Sequence, residues 1–548
     1  MSRLIEYTNS CLDTYTPFTL VAATAGITAA SIAVVNTKNL TSKVFSSLKA
    51  LPGVREKVKE ERKKVKETLK KQFNTDVSNP HYVLPTKGVP HEEIIAEMEK
   101  LTIKDESKWT GSKVSGCVYL GETEHTELLN KAYCLFSLSN PLHPGVFPSI
   151  RKFETETISM VSNMVNAHPK VVGAVTSGGT ESIFMAVKAH RDYYKDRTST
   201  PEMYVFLNTV VPVTIHAAFD KACGYLNIKI VHIPVGADYK VDLKLLKKAI
   251  TKNTIMIAGS AVNFPHGIID DIESLSKIAK EHDIGMHVDG CLGGFVLPFA
   301  EELGFDIPVF DFRLEGVTSM SVDTHKYGYA AKGTSVVMFS KPKMRRSMYF
   351  VAPNWPGGIY ASPTMPGSRP GGLVAACWAS LVAQGREGFR TKIKGVMETT
   401  KEMIAGYVVY AQIRLTMIIF VFLYRLKQIE GIEIVGEPKA MVIAFTGDKI
   451  FYINDAMNRR GWHLNPLQRP NSLHICVTAK HIGMAQVFIQ DLKDSVIEVR
   501  DSKDLPTDGS APIYGTAHSI PDRDMVGVIL GDFIDTLITK DAQPSPSS

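Results

Sequence analysis

The run Val171-Val-Gly-Ala-Val-Thr-Ser-Gly-Gly-Thr-Glu-Ser-Ile183 constrains this chain more than any other stretch. It reads as an apolar strand, a Ser-Gly-Gly-Thr turn and a helix from Glu181 to Tyr194. A strand passing through so short a turn into a helix opens a βα unit. The alternation of helical and strand-like apolar runs from about residue 130 to 365 then implies a mostly parallel sheet with helices on both faces. The turn also has a chemical use. With no Cβ at Gly178 and Gly179 the backbone can approach an anion, while the Ser177 and Thr180 hydroxyls and the helix N-terminus attract a phosphate.

Two later segments complete a pattern. Ile284-Gly-Met-His-Val-Asp-Gly-Cys-Leu-Gly-Gly294 is an apolar strand that delivers Asp289 at its C-terminal end. A carboxylate there can hold a ring nitrogen protonated, because an adjacent negative charge favours the cation. Ser319-Met-Ser-Val-Asp-Thr-His-Lys-Tyr-Gly328 is a β-rich run ending in a hydroxyl, an imidazole and a lysine. The amine of Lys326 can condense with an aldehyde, and pyridoxal 5'-phosphate is the common cofactor held in that way. Each piece has a bland alternative: His-Lys pairs are usually solvated, Gly-Gly turns often only turn, and an Asp after a strand is often a cap. Their order within residues 171–328 selects the chemical alternative, as a ligand site at the carboxyl ends of strands requires.

These segments resemble the fold-type I pyridoxal phosphate enzymes and, more narrowly, the sphingosine-1-phosphate lyases of the group II decarboxylase branch. Supporting runs are Gly111-Ser-Lys-Val-Ser-Gly-Cys-Val-Tyr119, Ser139-Asn-Pro-Leu-His-Pro144, Phe264-Pro-His-Gly267, Val322-Asp-Thr-His-Lys-Tyr-Gly-Tyr-Ala-Ala-Lys-Gly333, Gly357-Gly-Ile-Tyr-Ala-Ser-Pro-Thr364 and Gly367-Ser-Arg-Pro-Gly-Gly372. The similarity runs from about residue 80 to 535. It implies a large, mostly parallel seven-stranded sheet domain, a smaller C-terminal α/β domain and a homodimer whose loop Gly357–Thr364 reaches the partner's cofactor.

The resemblance also implies roles. Lys326 would carry the cofactor, with Ser177, Gly178, Gly179 and Thr180 on its phosphate and Asp289 on its ring nitrogen. His216 would stack on the ring, although it also reads as a helix-start histidine. His325 would bond the phosphate or shuttle a proton. Tyr119 and Lys332 would meet the substrate's own phosphate, with His143 a further candidate; the family proline before Lys332 is Ala331 here. The implied reaction is retro-aldol cleavage of a phosphorylated sphingoid base to a fatty aldehyde and phosphoethanolamine. An amino-acid decarboxylase on the same fold, or a membrane-tethered scaffold without activity, are the alternatives.

Charge and cysteine content narrow the rest. Formal charge is 62 minus 56, or +6, without an aromatic-rich basic patch, so nucleic acid is not an expected partner. Seven cysteines, with no Cys-x-x-Cys pair, argue for a reduced environment and against structural zinc. Cys291 reads as a packing residue rather than a nucleophile.

The segmentation is a lumenal N-terminus 1–17, a membrane helix 18–35, a basic stalk 36–79, an N-terminal arm 80–129, a large domain 130–388, a small domain 389–535 and a disordered tail 536–548. Phe18 to Val35 is uncharged, and a helix of that length spans about 27 Å, near the thickness of the endoplasmic reticulum bilayer. A signal peptide or a buried helix are the alternatives. Arg55 to Lys71 carries nine basic and four acidic residues, which by the positive-inside rule keeps the catalytic region in the cytosol. Ile432–Phe445 and Ser472–Val477 read as strands and Met484–Val499 as an amphipathic helix. Compared with the lyases, about 18 residues near 407–424 and about six near 204–209 look inserted. The larger run is either a second membrane contact or a gene-model error, and Arg414 at its centre would be costly in a bilayer.

Overall fold

The computed structural model describes residues 81–195, 207–405, 429–502 and 523–538, together with positions 56, 60, 63 and 67. Residues 1–55, including the expected membrane helix 18–35, lie outside the described residues, as do 204–206, the run 407–424 and 539–548. Among the described residues no helix is long and apolar enough to cross a membrane. The chain divides into a unit of residues 105–506 and a second unit of 1–104 and 507–548.

Seven strands of the larger unit form one sheet: β1 (Val172–Thr176), β2 (Asn208–Pro212), β3 (Lys229–Ile233), β4 (Thr254–Ser260), β5 (Gly285–Asp289), β6 (Ser319–Val322) and β7 (Ser335–Phe339). Their order is β1-β7-β6-β5-β4-β2-β3. The pairs from β6 through β3 are parallel, while β7 runs antiparallel to both neighbours. Strands β2, β4, β5, β6 and β7 are buried at every residue, as sheets covered on both faces are. Helix Gly179–Lys195 contributes Ile183, Ala186 and Val187 to a core shared with Phe219, Met256, Val337 and Met344.

Asn208 and Thr209, part of the apparent six-residue excess, begin β2 and pair with β3 and β4, with a register shift between them. They are buried members of the sheet.

A second sheet, of β10 (Ile432–Ile434), β11 (Val442–Gly447), β12 (Asn465–Leu467) and β13 (Ser472–Cys476), has the order β10-β11-β13-β12. The expected single strand 432–445 is thus two. Gly436, with φ +69°, and Pro438 turn the chain back, so that Ile432 faces Gly447. The amphipathic helix follows as Ala485–Asp501, and a short hairpin of β8 (Phe350–Ala352) and β9 (Tyr360–Ser362) stands apart from both sheets.

The expected N-terminal arm, 80–129, contains the helix His91–Trp109, whose Ile94, Met98 and Leu101 recur at helical spacing. The expected boundaries at 129/130, 388/389 and 535/536 fall inside the helices Thr123–Phe136, Gly371–Ala405 and Arg523–Ile538. Gly385, with φ +54°, breaks the second of these close to residue 388. Helix Arg523–Ile538 belongs to the smaller unit and exposes Leu530, Ile534 and Leu537.

Gly267 fixes the approach of the two sheets. Its φ is +72°, and a Cβ there would stand 2.4 Å from the Val442 carbonyl oxygen at the start of β11. Gly267→Ala is therefore expected to destabilise the chain by about 2 kcal/mol or more, read as a lower denaturant midpoint. An unchanged midpoint would show that the β11 edge yields freely.

Candidate active site

β7 lies between β1 and β6 and runs opposite to both, so the carboxyl ends of β1, β5 and β6 share one edge of the sheet with the start of β7. Three expected site segments therefore converge. The turn 177–180 follows β1, Asp289 ends β5, and residues 323–334 bridge β6 to β7. Buried hydroxyls stitch that edge: Thr176 Oγ1 lies 2.6 Å from Ser182 Oγ, which lies 2.8 Å from Ser335 Oγ, and Ser335 Oγ donates to the Val322 carbonyl at 3.1 Å.

At the centre stands an ion pair that sequence inspection missed. Lys326 Nζ is 2.9 Å from Asp323 Oδ2, and the Asp323 side chain is 1 % exposed while that of Lys326 is 22 % exposed. Burial alone would lower the Lys326 pKa, but the Asp323 carboxylate outweighs it and holds the amine above its ordinary value. Burial raises the nearby Cys291 and Tyr119 well above their usual ranges, so both are neutral at physiological pH and Asp323 is the effective counter-charge. The other Asp323 oxygen, Oδ1, is buried with no hydrogen-bond partner among the described residues. The signal was present in the sequence, since an Asp three residues before a Lys on a turn can fold back onto it.

His325 packs beside the pair. Its Nδ1 meets the Thr334 carbonyl, which can only accept, so the proton sits on Nδ1 and the lone pair of the neutral ring on Nε2. Nε2 faces Asp323 Oδ2 at 3.8 Å. Burial pulls the imidazole below its ordinary pKa, against the opposing pull of Asp323.

At the turn itself the backbone is tightly confined. A Cβ at Gly179 would sit 2.8 Å from Asp323 Oδ2 and 2.9 Å from Cys291 Sγ, so the position accepts only glycine. Gly178 has φ +153° and abuts His325, and Ser177 and Thr180 are exposed. The amide of Ser177, however, donates to Glu181 Oε2 at 2.6 Å. Only its hydroxyl remains for a ligand.

Asp289 is buried at the end of β5 and accepts from the Cys291 amide at 3.1 Å. Cys291 packs its thiol 3.1 Å from Ser321 Oγ, as a small buried residue does.

Tyr119 and Lys332 come together: the ammonium stands 4.6 Å from the Tyr119 ring centroid and 3.5 Å from the His325 carbonyl. Protein packed around that ammonium lowers its pKa, and Lys326 adds to the effect. Tyr119 meets Tyr327 edge-on at 4.9 Å, and Tyr327 donates to the Val477 carbonyl at 2.6 Å.

Two expected residues are not drawn into these contacts. His216 is exposed at the head of helix Ala218–Tyr225, where Nδ1 accepts from the Ala218 amide at 3.1 Å and the ring meets Phe264 edge-on. His143 is exposed in the turn after Asn140, and within this chain it makes no described contact with Tyr119 or Lys332.

The loop Gly357–Thr364 leads to Met365, whose amide donates to Glu181 Oε1 at 2.9 Å. Glu181 and Asp323 are both absent from the expected set; each is a buried carboxylate, Asp323 paired within its own loop and Glu181 reached by the Met365 amide from beyond the β8–β9 hairpin.

Comparison with known proteins bears on this geometry. Residues 91–418 match the pyridoxal-dependent decarboxylase conserved domain. The chain is 65 % identical over 553 residues to a sphingosine-1-phosphate lyase of Dictyostelium discoideum, covering 99 % of this chain and all of that one. It is 40 % identical over 508 residues to sphingosine-1-phosphate lyase 1 of Rattus norvegicus, covering 91 % and 85 %. A solved sphingosine-1-phosphate lyase from Burkholderia pseudomallei superposes with a TM-score of 0.73 at 35 % identity, over 85 % of this chain and 99 % of that one. A Lactobacillus brevis glutamate decarboxylase, 17 % identical, shares the fold at a TM-score of 0.65.

Removing the Asp323 charge leaves burial unopposed at Lys326. In Asp323→Asn protein stripped of small molecules, amine-directed labelling of Lys326 should become at least tenfold faster at pH 8, with its pH midpoint moved down. Peptide mass spectrometry across a pH series reads both, and an unmoved midpoint would remove Asp323 from the account.

Proposed function

Because the chain belongs to the pyridoxal-dependent decarboxylase family and, within it, to the sphingosine-1-phosphate lyases, we propose that it cleaves phosphorylated sphingoid bases with pyridoxal 5'-phosphate as cofactor. The observation that carries this proposal is the joint placement of the Lys326 amine, the glycine turn and the Tyr119–Lys332 pair around one sheet edge.

The residues present fit the cofactor. The absence of a Cβ at Gly179 lets the turn lie directly against Asp323, whose Oδ2 pairs with the Lys326 amine while its Oδ1 is a buried acceptor with no hydrogen-bond partner among the described residues. Lys326 would hold the group through Nζ, Gly179 and the Ser177 and Thr180 hydroxyls would take its phosphate, and Asp289 would keep a proton on its ring nitrogen. His216 would cover the ring. Bound pyridoxal phosphate supplies an aldehyde that exchanges amines and a ring that accepts an electron pair.

In the net reaction the substrate's C2–C3 bond breaks. The C3 hydroxyl loses its proton and C3 leaves as a fatty aldehyde, while C2 gains a proton and leaves as phosphoethanolamine. Lys332 and the Tyr119 hydroxyl bind the substrate phosphate, which orients the scissile bond. His325 Nε2 is the free lone pair beside the Asp323–Lys326 pair, and the three groups together can hold one mobile proton.

Two further parts of the proposal rest on sequence. The uncharged run 18–35, followed by the basic stretch 55–71, supports a single-pass endoplasmic reticulum anchor with the catalytic region facing the cytosol. An amphiphilic substrate partitions into that bilayer, so a tethered enzyme meets more of it. A homodimer is proposed on the resemblance of the loop 357–364 to the family's.

Lys326→Arg keeps the charge on Asp323 but cannot carry the cofactor. It should lose visible absorbance and about a thousandfold or more of aldehyde release from a phosphorylated sphingoid base. Retained turnover would overturn the proposed activity. Lys332→Ala should raise KM for the phosphorylated base about tenfold or more while leaving cofactor absorbance intact. For the anchor, the full chain should remain in the pellet after carbonate washing of membranes, and a chain beginning at residue 80 should be released. Equal release of both would sink the anchor.

A further inference from the structure

Strand β1 is the edge of the seven-stranded sheet, and two successive outward amides at its end are taken by carboxylates. Val175 donates to Glu154 Oε1 at 3.4 Å and Ser177 donates to Glu181 Oε2 at 2.6 Å. Each carboxylate also holds the chain beyond the β8–β9 hairpin. Glu154 pairs with both terminal nitrogens of Arg369, Nη2 at 3.1 Å, while Glu181 Oε1 accepts from the Met365 amide at 2.9 Å. Glu181 is 8 % exposed, so its two oxygens have few other partners to turn to. Asn140 fixes the same loop from the other side: its Oδ1 accepts from the Arg369 amide at 3.1 Å and its Nδ2 donates to Ser368 Oγ at 3.1 Å.

We propose that Glu181 is a positioning residue: a strut that couples the loop 357–369 to the glycine turn, so that an anion held at the turn and order in the loop support one another. The Ser177 and Met365 amides share this carboxylate between the turn and the loop. If the loop lifts, Met365 is withdrawn, and an under-bonded carboxylate stands one helical turn from the place where a phosphate sits. Conversely, a phosphate that fixes Ser177–Thr180 fixes Glu181, and through it Met365. The coupling is reciprocal by linkage. This extends the proposed cofactor site and rests on it.

Hydrogen exchange of full-length protein, followed by mass spectrometry of peptides resolving residues 174–179 and 365–369, the latter beyond the loop 357–364 proposed to reach the partner's cofactor, tests the strut with and without pyridoxal phosphate. Without cofactor, Glu181→Ala should speed exchange in both peptides at least tenfold. With cofactor, wild type should slow in both peptides together, whereas the variant should slow only in the turn. A loss of stability alone would not separate the two peptides in that way. Glu181→Gln is the milder variant if Glu181→Ala does not fold. Its Oε1 can serve one amide while its NH2 cannot accept from the other, so one peptide alone should loosen. The coupling is overturned if either variant shows wild-type protection of the loop by the cofactor. A wild-type chain that takes up no cofactor, shown by the lack of visible absorbance, overturns the proposed function and the coupling with it.

Discussion

One reversed strand organises the molecule. Because β7 is inserted antiparallel between β1 and β6, the chain leaving β6 must double back along the same edge where β1 and β5 end. That forced return, residues 323–334, carries Asp323, His325, Lys326 and Lys332 in a single loop. Had β7 been parallel, a crossover helix would have carried the chain to the opposite edge, and the lysines would not face the turn. The hydroxyl chain Thr176–Ser182–Ser335 is the local price of this junction, since three buried polar groups must find one another where strands of opposite sense meet.

Within the loop, electrostatics set the chemistry. Asp323 is almost wholly buried, and the Lys326 ammonium is what makes that carboxylate tolerable. The same proximity explains why Gly179 cannot carry a side chain: the carboxylate lies directly against it. The glycine turn and the counter-ion of the lysine thus meet in one packing contact. The neutral thiol of Cys291 completes the floor, and burial rather than reactivity accounts for its environment.

The opposite wall is built on sequence-distant contacts. Lys332 over Tyr119, and Tyr119 against Tyr327, tie residues from the N-terminal part of the larger unit to the β6–β7 loop and to the end of the small sheet at Val477. These contacts hold the Lys332 ammonium at one place beside the β6–β7 loop. The loop after the β8–β9 hairpin then closes on Glu154 and Glu181.

What the residues alone determined is local. The strand–turn–helix at 171–194, the strand ending in Asp289 and the lysine after β6 follow from apolar periodicity and from glycines at positions where a Cβ would collide. Such features depend on neighbours a few residues away, so they survive in one dimension. The hairpin hidden in 432–445 was blurred because its turn, Gly436 to Pro438, is short and flanked by equally apolar runs. Only the tertiary structure decided that Glu181 accepts from Ser177 with one oxygen and from Met365 with the other, and that Glu154 pairs with Arg369. A buried carboxylate is satisfied by whichever donors the fold brings within about 3 Å, and that choice is made by packing across the sheet edge.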